Sequence, residues 1–388
     1  MDLLRPFFME DYLEGSRFTA RYNLGESGAR PVTVGDLLAG SGVDSARAAD
    51  VFLSTLLRDS PNWGRADLRD LVAAMHPGAT RENVLITTGT SEALLLLFRQ
   101  LRPRKVALAW PAFQLLYELP MRQGAEVVRL PVRWDARGVP GVDAGEWLER
   151  LERERPDVVI INNPHNPSGL VLDAKLLDAV ARWADAAGAT LVGDEHYRFL
   201  SSEDAVLGAT VYRPGTRTFV TGSFIKCLGC PGLRIGWTVG DTAMLARMQN
   251  EKNYTTHTVN PVTEWIAHEV LKDLGSPALR AARAEWMQNR RTLAAFLERS
   301  RGVYGVAPRG GLVTCIGVRG ANDARDFEAR LAALSAEGVF VLPLSAMEAG
   351  SPEGAHPLEK GHGFRLGLGM AAERFPEALD AIERATTR

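Results

Sequence analysis

Ser223-Phe224-Ile225-Lys226-Cys227-Leu228-Gly229-Cys230-Pro231-Gly232-Leu233-Arg234 puts a lysine directly after an apolar run and an arginine eight residues further on. A lysine leaving a buried strand is partly desolvated, which lowers its pKa and frees the amine to add to a carbonyl carbon. An arginine behind a Gly and a Pro-Gly turn offers a planar fork that suits phosphate. Taken alone, the segment is equally an exposed lysine and an exposed arginine in a solvated loop. Its meaning depends on the stretches around it.

The run before Lys226 is one of seven. Stretches at 84–87, 105–110, 126–131, 157–162, 190–194, 218–223 and 233–239 alternate with helix-like segments such as 91–101, 174–187 and 242–253. Runs rich in Val and Ile without polar alternation are buried on both faces, and the helices between them supply the crossovers that parallel strands need. The expected fold class is α/β, with a large domain built on a mostly parallel seven-stranded sheet flanked by helices, and a smaller α+β domain. The texture changes after about Asn260. Helical stretches at 262–274 and 276–299 precede strand-like pieces at 312–318, 339–342 and 364–368, a helix-like stretch at 324–337 and a last helix at 376–384. We expect an N-terminal arm over 1–45 that belongs with the small domain, a large domain over 46–260 and a C-terminal small domain over 261–388. Residues 350–362 read as a surface loop.

Three more polar motifs each follow a predicted strand. Thr87-Thr88-Gly89-Thr90-Ser91-Glu92 leads into a helix, where Gly89 permits a tight turn and the free N–H groups at the helix start attract an anion. Simple N-capping by Ser or Thr explains the same residues. Asn162-Asn163-Pro164-His165-Asn166-Pro167-Ser168-Gly169 is a sharp loop at a strand's carboxyl end, where open α/β sheets place ligands. Asn166, between two prolines, is a fixed donor. In Gly193-Asp194-Glu195-His196-Tyr197, a carboxylate emerging from a buried strand needs a cationic or protonated partner, and Tyr197 lies close enough to reach the same ligand.

In this order, each after a strand, the four motifs together resemble the fold-type-I pyridoxal-phosphate enzymes of the aminotransferase class I/II superfamily. The resemblance runs from about Tyr22 to Gly367. It implies pyridoxal 5′-phosphate as cofactor, with Lys226 as the lysine that binds it covalently. Asp194 resembles the carboxylate facing the pyridine nitrogen, which keeps the ring an electron sink. Asn166 and Tyr197 resemble the donors to the phenolic oxygen, with Tyr197 also counted among the catalytic residues. Gly89, Thr90, Ser91, Ser223 and Arg234 resemble the phosphate cup. Phe113 sits where an aromatic stacks on the ring face, although a core phenylalanine is nearly as good a reading. Arg365, in Gly363-Phe364-Arg365-Leu366-Gly367, resembles the small-domain arginine that grips the substrate α-carboxylate. Glu26 and Ser27, in Asn23-Leu24-Gly25-Glu26-Ser27-Gly28, fall in the segment edging the substrate pocket.

Two positions depart from the family pattern. Ile225 stands where a second serine is common beside the lysine. Asp59 stands where many relatives place a tyrosine that reaches the neighbouring subunit, a role Tyr254 is free to take. The arm, from Met9-Glu10-Asp11-Tyr12-Leu13 through Gly35-Asp36-Leu37-Leu38, also resembles the branch that includes capreomycidine-synthase-type cyclases acting on hydroxylated arginine. The resemblance therefore implies an enzyme of the transferase or lyase class acting on a free α-amino acid. Transamination to a 2-oxo acid ranks first, and β/γ-elimination with cyclisation of an arginine-like substrate second. Glu26 and Asp59 would favour a cationic side chain. A non-catalytic binding protein with the same fold is the distant alternative, disfavoured by the presence of both Lys226 and Asp194.

Composition narrows the remaining classes. The 388 residues carry Lys+Arg 45 against Asp+Glu 47, a net charge of -2 that lacks the basic excess a general nucleic-acid binder needs. Three cysteines do not make a disulfide framework, and Cys227-x-x-Cys230 lacks the second pair a structural zinc requires, so no metal site is expected. Met1 to Leu13 lacks the layout of a secretory signal, and no apolar run reaches about 20 residues. A cytoplasmic protein free of membrane is expected, and the family resemblance adds a homodimer. Arg280, Arg283, Arg290 and Arg291 read as one solvated helix face.

Overall fold

Seven strands join one sheet: β1 (Val84–Thr87), β2 (Lys105–Trp110), β3 (Glu126–Pro131), β4 (Val158–Asn162), β5 (Thr190–Asp194), β6 (Thr218–Gly222) and β7 (Gly236–Val239). The computed structural model describes residues 4–321, 323–348, 354 and 356–387. The strand order is β1-β7-β6-β5-β4-β2-β3. All neighbours run parallel except β7, which is antiparallel to β1 and β6. Every residue of β4, β5 and β6 is buried, as expected of central strands covered by helices on both faces. The helix Ala174–Ala187 shows how one cover forms. Asp173 caps its start by accepting from Leu176 N, Leu176, Leu177, Val180, Ala181 and Ala184 face the sheet at helical spacing, and Gly188 ends it at φ 68.

The run 233–239 yields a strand only from Gly236. Pro231–Leu233 forms a 3-10 turn and Arg234 takes φ 49, so the chain turns before it enters the sheet. The expected stretch 339–342 divides in two. Val339–Phe340 pairs in parallel with Tyr22–Asn23 of the arm, whereas Leu342–Pro343 enters the second sheet. That sheet contains β8 (Val303–Gly305), β9 (Val313–Val318), β10 (Leu342–Pro343) and β11 (Gly363–Gly367) in the order β8-β9-β11-β10, all antiparallel. The arm and the C-terminal third therefore share backbone pairing.

On the helix Pro277–Arg299 the expectation of a solvated basic face holds for Arg280 and Arg291, which are exposed, and fails for Arg283 and Arg290. Arg283 donates to the carbonyls of Ser202 (3.0 Å), Glu203 (3.0 Å) and Ala205 (2.8 Å), and Arg290 donates to Pro308 O (2.7 Å). Arg283 thus pins the loop after β5 to the helix, while Arg290 ties the segment before β9 to it and pairs with Glu203 of that loop. The expected loop 350–362 lies partly outside the described residues. Among those described, 357–361 turn back on themselves with Leu358 and Glu359 buried.

Candidate active site

The parallel register aligns three polar side chains at the carboxyl ends of adjacent strands, Asn162 opposite Asp194 and Asp194 opposite Thr221. Asp194 is only 2% exposed, so its oxygens require donors. Asn162 Nδ2 donates to Oδ2 at 3.2 Å, Thr221 Oγ1 to Oδ1 at 3.4 Å, and His196 Nδ1 lies 3.2 Å from both oxygens. Asn162 also folds the following loop, since its Oδ1 accepts from Asn166 N at 2.7 Å. Asn166 Oδ1 in turn accepts from Arg365 Nη1 at 3.1 Å, and Arg365 Nη2 donates to Gly25 O at 2.6 Å. Burial lowers the Arg365 pKa, and its Nε has no hydrogen-bond partner. A fully buried guanidinium with a donor to spare suits an arriving carboxylate.

Lys226 follows β6 and donates from Nζ to Ser27 Oγ at 3.2 Å. Ser27 O accepts from Tyr197 OH at 2.6 Å, so the arm closes over both side chains. Burial lowers the Lys226 pKa, while the carboxylates of Glu26 and Glu10 act in the opposite direction. Burial likewise raises the Tyr197 phenol. Glu26 itself pairs with Arg17 Nε at 2.7 Å, and the same guanidinium holds Glu10 at 2.7 Å and Glu14 at 3.0 Å.

At the other end, Gly89 takes φ 84 and caps the helix Thr90–Leu101. A Cβ there would stand 2.9 Å from Arg234 Nη2, and one on Gly236 would stand 2.8 Å from Thr90 N. The two glycines thus let an arginine and a helix start come together. Ser223 Oγ donates to Ile235 O at 2.7 Å and accepts from Ile225 N at 3.2 Å, tying the turn rather than reaching outward. Ser91 is exposed and Ile225 is packed in the core. Phe113 is half-buried, with its ring centroid 5.7 Å from that of Phe7. Asp59 is exposed, and Tyr254 is 85% exposed.

One hydrogen-bonded series therefore joins Asp194, Asn166 and Arg365, and a second joins Tyr197, Ser27 and Lys226. Gly89, Thr90 and Arg234 form a separate corner, while Ser91, Phe113 and Glu26 enter neither series. Asn162, Thr221 and His196 are participants that the sequence reading left without a role. Thr221 was detectable as a polar residue two positions before Ser223 at a buried strand's end. The glycine-lined corner, the desolvated amine and the partnerless Arg365 Nε fit a cofactor carrying phosphate and aldehyde groups together with a carboxylate substrate.

The sequence pattern of aminotransferase class I and II matches residues 46–382. The chain belongs to this family. It is 32% identical over 346 residues to capreomycidine synthase from Streptomyces vinaceus, covering 86% of this chain and 85% of that one. It is 26% identical to aspartate aminotransferase from Pyrococcus horikoshii, covering 84% and 82%. The structure of the PLP-dependent cyclase OrfR aligns with a TM-score of 0.85 at 25% identity, covering 100% of this chain and 98% of the other. The chain has the fold of fold-type-I aminotransferases and is a pyridoxal-phosphate enzyme of the transferase or lyase class. Among the described residues, no helix is long and apolar enough to cross a membrane.

Proposed function

We propose that this enzyme transforms a free α-amino acid at its α-carbon, with transamination to a 2-oxo acid as the first reading. The observation that carries it is Lys226 held beside Ser27 while Arg365 keeps a donor free. Bound pyridoxal phosphate supplies an electron sink for charge developing at the α-carbon. Lys226 Nζ, whose pKa burial lowers, takes the α-proton and returns it. Asp194 would face the ring nitrogen, and Asn166 and Tyr197 would serve the phenolic oxygen. Arg365 would bind the α-carboxylate, and Gly89, Thr90 and Arg234 would hold the phosphate, with Ser91 and Ser223 assigned to it by the family resemblance alone. Phe113 would line the ring face, and Glu26 and Ser27 would close the substrate side.

The second reading is elimination followed by cyclisation of a hydroxylated, arginine-like amino acid. It is supported by the likeness to capreomycidine synthase and by Arg17, whose guanidinium already sits among Glu10, Glu14 and Glu26. Glu26 and Asp59 are the acids read as favouring a cationic side chain, and Glu26 is shared with Arg17. Product masses after incubation with candidate amino acids, with and without 2-oxoglutarate, separate the readings. Turnover that requires the oxo acid is transamination, and turnover without it is elimination or cyclisation.

We further infer the division into arm, large and small domains at 45/46 and 260/261, and a cytoplasmic homodimer. The helix Ser45–Ser54 buries none of its residues, and Leu53, Leu56 and Leu57 are 89%, 68% and 87% exposed. An apolar surface of that kind is best covered by a second copy. The cysteines are all free, which suits a reducing compartment.

A further inference from the structure

Asp194 has one rotation that its strand does not fix. The χ2 torsion of an aspartate is broad, so the plane of the carboxylate is set by whatever bonds its two oxygens. Asn162 bonds one oxygen at 3.2 Å, and Thr221 reaches the other only at 3.4 Å. His196 Nδ1 is 3.2 Å from both oxygens and so bridges them. Carboxylate oxygens only accept, so a hydrogen bond between Nδ1 and Asp194 requires the proton on Nδ1. The same imidazole lies against the Tyr197 ring, with centroids 4.1 Å apart at 51°. Its backbone carbonyl accepts from the thiol of Cys227, the residue after Lys226, at 3.4 Å. His196 is buried, so water does not substitute for these contacts.

We propose that His196 is a positioning residue that sets the plane of the Asp194 carboxylate through Nδ1–H while bracing the Tyr197 ring. The proposal rests on the assignment of Asp194 to the ring nitrogen. It goes further in naming the group that orients this carboxylate, a need left open by the strand alone.

Two substitutions on the holoenzyme separate the two contacts. His196→Phe keeps a ring against Tyr197 and removes the donor, whereas His196→Asn keeps a donor near the Nδ1 position and removes the ring. With His196→Phe we expect kcat to fall about tenfold at unchanged KM, as for a lost hydrogen bond to a charged group. The pH midpoint of the bound cofactor's visible absorbance should move with it, and His196→Asn should restore most of both. In an Asp194→Asn background, His196→Phe should have no further effect. An unchanged absorbance titration, failure of His196→Asn to restore it, or additivity with Asp194→Asn overturns the proposal. If His196→Phe does not fold, the 15N spectrum of the wild-type imidazole decides, since a proton on Nε2 alone overturns it. Should Asp194→Asn itself leave turnover and spectrum unchanged, the assignment of Asp194 fails instead.

Discussion

The two halves of the site are built by different physics. Asn162, Asp194 and Thr221 meet because parallel strands hold them in register, and their hydrogen bonds span 32 and 27 residues of chain. Gly25, Ser27 and Arg365 meet because the arm lies back across the C-terminal sheet, with Arg365 donating to a residue 340 positions away. The first half is part of a sheet ladder. The second is a docked segment, held by Gly367 N donating to Leu24 O at 2.7 Å and by backbone approaches that admit no side chain. Chemistry should therefore depend on the ladder half, and substrate capture on the docked half.

The sharpest test of that division is Lys226→Ala. Losing a positioned general base lowers rates by about 10²–10⁴-fold, and turnover should fall by that much while the melting temperature holds. The absorbance of covalently bound cofactor should vanish with it. A variant that keeps both signals would mean that another amine serves. Arg365→Gln comes next and tests the docked half. Loss of a charged two-pronged contact should reduce kcat/KM by about 10–100-fold, carried mainly by KM. Arg365→Lys should not restore it, because a point charge lacks the planar fork. An equal loss in kcat would join the two halves into one unit.

The ladder half was largely legible because its residues sit in contiguous motifs. Lys226, Asp194 and Asn166 each stand within a short loop after an apolar run, so local patterning locates them. Thr221 and His196 were not, because their role depends on which strand neighbours which, and strand order appears nowhere in local sequence. The docked half was visible only as resemblance. Nothing near Glu26 announces Arg17 as its partner, and nothing near residues 339–342 announces that the segment divides between the arm and the sheet. Arg283 and Arg290 read as solvated for the same reason, since the carbonyls they bind lie about 80 residues or fewer away in other elements.

Gly367→Ala tests the docking directly. A Cβ on Gly367 would stand 1.9 Å from Glu26 O, and Gly369 is equally close to Gly28 O. The added methyl cannot be accommodated without moving the arm, at a cost of about 1–3 kcal/mol. We expect a lower melting temperature, faster proteolysis of the arm and a raised KM, with the absorbance of the bound cofactor retained. Gly232→Ala is the control, since nothing lies within 4 Å of its Cβ position. If the Gly367 variant loses cofactor as readily as substrate, the arm supports the ladder half as well.

The smallest effect concerns the residue behind the ladder. Burial raises the Glu195 carboxyl from its ordinary 4.5 to about 7, against the pull of Arg198. Its Oε1 accepts from Val211 N at 2.7 Å, whereas Oε2 has no hydrogen bond and meets Arg198 Nε only at 3.7 Å. A carboxyl whose folded pKa is raised keeps its proton in the folded state after the unfolded chain has released it. Its contribution is therefore fully present below about 4.5 and lost as pH rises through about 7. Glu195→Gln keeps an acceptor for Val211 and removes the titration. Urea melts of the two proteins should diverge over that window, with the variant gaining relative stability as pH rises. A stability difference that stays flat with pH would mean that Arg198 already holds Glu195 ionised. The pair would then be a fixed buried ion pair beneath Asp194, and the ladder half would carry more charge than its hydrogen bonds alone suggest.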